Sequence, residues 1–185
     1  MITATDKTGT VAESVFRSYP VSVGEALDAL DARTLLARQE RVLVKPNLVV
    51  ATPPPVTTPP ACVEAVIAYV RACSSARIVI AEGTGDATDD TPAVFEALGY
   101  TDLARRLDVE LVDLNTADTV VLSDATCQVF KTFHLPVIAT THFIISVPVL
   151  KAHSLALMTG SMKNMNGFGK PEIIKSSDDN QQVPE

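Results

Sequence analysis

Three runs of apolar, mostly β-branched residues limit this chain more than any other feature: "VLV" at 42–44, "IVIA" at 78–81 and "FIISV" at 143–147. Each is too short for a buried helix and continuous instead of alternating, the pattern of a strand covered on both faces. They read as strands at 41–45, 76–83 and 141–150, with a further short strand, "VELVDL", at 109–114. Between them lie stretches with helical rhythm. "VGEALDALDARTLLARQE" carries a stripe of Val23, Leu27, Leu30, Leu35 and Leu36; "ACVEAVIAYVRAC" follows Pro59 and Pro60, and "DDTPAVFEALGY" has Asp90 or Thr91 as its cap and Gly99 as its stop. Strands that alternate with helices imply an α/β fold, a three-layer sandwich with a mostly parallel, Rossmann-like sheet and right-handed crossovers.

Length fits that architecture once. At 185 residues the chain holds one α/β domain, expected over residues 1–172, followed by a polar tail at 173–185. The tail comes soon after the most functional-looking segment, so a fragment or shortened form of a longer domain is among the expectations. The "ATPPPVTTPP" segment, with five prolines in ten residues, is a stiff loop across the sheet end. Residues 117–136 hold a β-ribbon or an irregular excursion, and the pattern does not separate the two.

A net charge of -7 excludes a surface built to neutralise nucleic-acid phosphates. No apolar run approaches the roughly 20 residues needed to cross a bilayer, so the chain is expected to be soluble and cytoplasmic, with no membrane partner. Cys62, Cys73 and Cys127 form no C-x-x-C, so no iron–sulfur cluster is expected to be held by this chain alone. Cys62 and Cys73 read as buried free thiols.

In a parallel sheet, ligands bind beyond the carboxyl ends of the strands. Three of those ends are polar here: Lys45-Pro46-Asn47, Glu82-Gly83-Thr84-Gly85-Asp86, and Lys151-Ala152-His153-Ser154. If the strands are parallel, all three share one rim. Lys45 is read as an anion ligand, against the plainer reading that it snorkels to water. Glu82 follows "IVIA" directly and is expected to be partly buried, where a carboxyl gains a raised pKa. Gly83 and Gly85 allow close approach of a ligand, but G-x-G-x-x-G and the phosphate-loop signature are absent. Asp86, Asp89 and Asp90 could gather a hard cation, although capping of the next helix is the simpler reading, and no metal site is assigned.

Past the last strand, "SLALMTGSMKNMNG" reads as a helix with Leu155, Met158, Met162 and Met165 on a core-facing stripe. Thr159, Lys163 and Asn166 then border that stripe, with Gly160 as its weak point and Gly167 and Gly169 as its stop. His153 can carry a proton near neutral pH, and Lys151 can anchor an anion or act as an amine nucleophile. His134 and His142 read as structural.

"RVLVKPNLV", "VIAEGTGDATDDTPAVFEALGY" and "IISVPVLKAHSLALMTGSMKNMNGFG" together resemble a bacterial and archaeal family, domain of unknown function 362. Its members show K-P-N, then E-G, then P-x-L-K-x-H and a K-N-x-x-G segment. The resemblance points to Lys45, Pro46, Asn47, Glu82, Gly83, Pro148, Lys151, His153, Lys163, Asn164 and Gly167. Relatives often carry ferredoxin-like iron–sulfur modules, which implies redox metabolism and leaves a redox partner open; this chain lacks their cysteine cluster.

The expected site is a pocket for an anionic small molecule, with the cofactor unknown and a homo-oligomer open. Lys45, Lys151 and Lys163 bind phosphate or carboxylate groups, Asn47 and Asn164 orient polar edges, and His153 with Glu82 form the proton-transfer pair of a redox-linked enzyme or isomerase. A non-catalytic ligand- or metal-binding domain and a truncated member without activity are the alternatives.

Overall fold

The computed structural model describes residues 9–86, 88–127, 131–153 and 157–168. Its centre is a four-stranded sheet of β1 (Arg41–Pro46), β2 (Arg77–Glu82), β3 (Glu110–Asp113) and β6 (Phe143–Val147), in the order β3-β2-β1-β6 and parallel throughout. Register pairs Val44 with both Ile80 and Ile145, so β1 and β2 reach the middle of the sheet with almost every side chain buried. Both faces are covered, which explains why these strands read as unbroken apolar runs.

Alternation divides their side chains between two cores. Val42, Val44, Ile78 and Ile80 face helices α1 (Tyr19–Ala29), α2 (Ala32–Leu36), α3 (Pro60–Cys73), α4 (Thr91–Ala97) and α5 (Tyr100–Leu107). In α3 the buried Val63, Val66, Ile67 and Val70 recur at helical spacing, so one face of the helix lies against the sheet. Leu43, Val79 and Ala81 face the opposite way and pack with Leu114 and Phe168. That third layer is thin. It is made by an antiparallel ribbon of β4 (Thr119–Ser123) and β5 (Thr132–Pro136), by the short α6 (Ile138–Thr141), and by a 3-10 turn, Asn166–Phe168.

Several local expectations need correction. The helix expected from Val23 onward is broken at Asp31, whose φ of 51° lies in the left-handed region, and so Leu30 and Leu35 leave the stripe and face solvent. Gly99, at φ 78°, is indeed a stop, but α5 follows it at once, over residues where the sequence pattern predicts no element. The last sheet strand is five residues instead of ten, and it forms an edge that is mostly half-buried. Residues 117–136 contain a true ribbon. Cys62 and Cys73 are free and half-buried.

The largest correction concerns residues 155–167. Among the described ones, Leu157–Thr159 form β8, antiparallel to β7 (Lys151–His153), and the α-helix is confined to Ser161–Met165, α7, with the 3-10 turn following it. The methionine stripe is therefore not core: Met158, Met162 and Met165 are exposed. Gly160 does not interrupt a helix but precedes one. Leu155, Gly169 and the tail at 173–185 lie outside the described residues. No helix among the described residues is long and apolar enough to cross a membrane.

Candidate functional site

Because β1, β2 and β6 run the same way, their carboxyl ends lie on one rim of the sheet. At that rim Lys45 and Glu82 are direct partners, Nζ to Oε1 at 2.7 Å, and both are at most 2% exposed. Glu82 also accepts from the backbone N–H of Gly83 (3.0 Å) and of Leu48 (3.3 Å). Lys45 reaches the Asn164 Oδ1 at 3.4 Å and its neighbouring Pro46 carbonyl at 3.4 Å, while the Phe168 ring lies 5.6 Å from its amine. Burial pushes the Glu82 carboxyl up and the Lys45 amine down from their ordinary ranges; in each case the partner's charge and the shared hydrogen bond oppose it.

Asn164 closes this cluster from α7. Its Nδ2 donates to the Lys45 carbonyl (3.2 Å) and to the Ser146 hydroxyl (2.9 Å), tying α7 to β1 and β6. Gly167 approaches so closely that a Cβ there would sit 2.8 Å from the Lys45 amine and 2.9 Å from the Glu82 Oε1. Gly83 is constrained likewise, since a Cβ would meet the Asn115 Oδ1 at 2.4 Å. Asn115 is held by the Thr84 carbonyl (2.9 Å) and the Thr91 hydroxyl (3.3 Å). Gly83→Ala is accordingly expected to cost about 1–3 kcal/mol in urea unfolding by overpacking. A neutral result would mean that Asn115 swings away freely.

A second cluster surrounds Lys151. Its amine donates to the Asn47 Oδ1 at 2.8 Å and to the Val56 carbonyl at 2.5 Å. The Asn47 N–H donates to the Thr58 hydroxyl (2.9 Å), which donates to the Val147 carbonyl (2.8 Å). The proline-rich loop is thereby stitched to the ends of β1 and β6. Desolvation, and after it the charge of Lys163, hold the Lys151 amine below the ordinary lysine range. Among the described residues, the ion pairs include no carboxylate for Lys151 or Lys163.

The rim thus brings Lys45, Glu82, Gly83 and Asn164 into one buried cluster and Asn47 with Lys151 into another, with Lys163 on α7 acting on Lys151 through its charge. His153 lies across from Leu157 in the β7–β8 ribbon, half-buried and on the same strand face as Lys151. The oxygens of Glu82 are engaged by Lys45, Gly83 and Leu48, not by His153. In the acidic loop, Asp90 caps α4 by accepting from the Ala93 N–H (2.9 Å), and Asp86 accepts from Thr88. Among the described residues no group of three His, Cys, Asp or Glu side chains is gathered as metal ligands. His142 bonds the Ile138 carbonyl at the amino end of β6, far from the rim.

Thr58, Asn115, Ser146 and Phe168 belong to these clusters without being singled out by the sequence pattern. Asn115 has a usable signal, because it follows β3 as Asn47 follows β1. A cleft of about 470 Å³, lined by Arg71, Arg77, Asp108 and Glu110, opens at the opposite, amino ends of β2 and β3. Another of about 640 Å³ lies between residues 16–20 and α3. Neither touches the rim lysines.

A family model described as Domain of unknown function (DUF362) matches residues 42–181, from β1 past the end of the described residues. No curated protein and no solved structure matches the chain.

Proposed function

This chain belongs to the domain of unknown function 362 family, and we propose that it binds an anionic small molecule at the carboxyl rim of its sheet, with Lys151 and Lys163 as the cations that hold it. One observation carries the reading: at the rim the Lys151 amine rests on two neutral acceptors, the Asn47 Oδ1 and the Val56 carbonyl, and no carboxylate of the described residues forms an ion pair with it or with Lys163. In a chain of net charge -7, lysines that no carboxylate of the described residues pairs with are cations that an incoming anion can use. Lys45 and Glu82 become the frame in this reading, because the ion pair consumes both. His153, on the same strand face as Lys151, is the group in reach of a bound ligand for proton transfer.

Lys163→Gln tests the proposal better than Lys151→Ala, since Lys151 also anchors Asn47 and the Val56 carbonyl. Removing one charge-assisted contact is expected to weaken binding of phosphate and carboxylate metabolites about 10- to 150-fold by calorimetric titration. Unchanged affinity would remove Lys163 from the site. Affinity also carries a pH signature. A neutral amine holds no anion, so binding is expected to decline as pH rises through the depressed pKa of Lys151, before an ordinary lysine would titrate. In Lys163→Gln the charge that helps depress it is gone, and the decline should move to higher pH. A decline at the same pH in both proteins would contradict the assigned cause.

A further inference from the structure

Thr159 is 3% exposed, and its hydroxyl is the one buried side-chain nitrogen or oxygen among the described residues with no hydrogen-bond partner. Buried hydroxyls nearly always find a partner, so an orphan at a rim invites the question of what completes it. Thr159 stands directly opposite Lys151 in the β7–β8 register, so the two side chains leave the same face of the ribbon. The Lys151 ammonium has three donors, of which Asn47 and Val56 take two. Lys163 follows four residues after Thr159, one turn into α7.

Resting on the reading of Lys151 and Lys163 as an anion site, we propose that Thr159 is a third donor to that anion, and that the anion is a phosphate group, free or esterified. Charge and valence both favour phosphate over carboxylate. A phosphate ester carries about -1.5 to -2 near neutral pH and offers three acceptor oxygens, enough to match two ammonium groups and one hydroxyl. A carboxylate carries a single charge and two oxygens, and would leave one cation uncompensated beside a half-desolvated neighbour.

The test uses the full chain titrated with inorganic phosphate, methyl phosphate and acetate, as wild type, Thr159→Val and Thr159→Ser. Phosphate is expected to bind more tightly than acetate. Thr159→Val should weaken phosphate about 10- to 150-fold, the loss of one hydrogen bond to a charged group, while Thr159→Ser should stay within about threefold. Without phosphate, Thr159→Val should melt about 2–4 °C higher, because it removes an unsatisfied buried hydroxyl. Either inorganic or methyl phosphate as the tighter probe supports the class and tells the free from the esterified form. Phosphate affinity unchanged in Thr159→Val, acetate bound more tightly than phosphate, or a lower melting temperature for unliganded Thr159→Val would each overturn the proposal. Failure of the wild type to bind any of the three probes would overturn the anion-site reading beneath it.

Discussion

Lys45→Met is expected to destabilise the protein by about 3–5 kcal/mol in urea unfolding, the cost of leaving one member of a buried ion pair without the other. Glu82 would remain almost fully buried with only the N–H groups of Gly83 and Leu48 to offset its charge. Losing Lys45 also removes the main influences that oppose burial, so the Glu82 pKa should climb further. A carboxyl whose folded pKa lies above its unfolded value contributes stability at low pH and loses it as pH rises through the folded pKa. The deficit of Lys45→Met should therefore be larger at pH 8 than at pH 5. A pH-independent deficit would show that Glu82 is not the residue left stranded.

The companion double variant separates stability from specification. In Lys45→Met with Glu82→Gln, both charges are gone, and the amide oxygen of the introduced glutamine can still accept from one of Gly83 and Leu48, which donate to different oxygens of Glu82. Buried ion pairs are weak stabilisers, because desolvation cancels most of the attraction. The double variant is thus expected to recover most of the loss and unfold within about 1–2 kcal/mol of wild type. What the pair supplies instead is register: it joins β1 to β2 at the rim, and Gly167 packs so closely on both side chains that a Cβ there would clash. A double variant as unstable as the single one would mean that packing around the new methionine, and not stranded charge, sets the cost.

Strand direction and the sharing of one rim are legible in the sequence, because unbroken β-branched runs are forced into a doubly covered parallel sheet. Burial of Glu82 is legible for the same reason. Pairing is not. Position at a strand end says which edge a side chain reaches but not which neighbour it meets, so sequence alone assigns Lys45 to a ligand and Glu82 to His153, while register puts Lys45 and Glu82 2.7 Å apart. Residues 155–167 mislead because helical spacing is satisfied by chance over a short window. Leu157, at φ 60°, and Thr159, paired with Lys151, belong to a ribbon whose partner strand precedes it by only a few residues. Asn115 obeys the strand-end rule applied to Asn47, and the same rule extended to β3 would have found it.

Phe168→Ala is the second large effect, expected at about 3–5 kcal/mol. Phe168 is 3% exposed in the thinner of the two cores, where Leu43, Val79, Ala81 and Leu114 surround it, so truncation leaves a void that a short 3-10 turn has little neighbouring chain to fill. The same ring faces the Lys45 amine at 5.6 Å, a contact that strengthens where water is excluded. Energies of Phe168→Ala and Lys45→Met should then fail to add, with a coupling of about 0.5–3 kcal/mol in a double-mutant cycle. Lys163 and Asn164 sit on α7, immediately before this turn, so at the proposed anion site phosphate affinity should fall together with stability. A cost below about 1 kcal/mol would mean that the turn is not docked on the sheet in solution. The proposed anion site would then lose the support that this turn gives to α7, which carries Lys163.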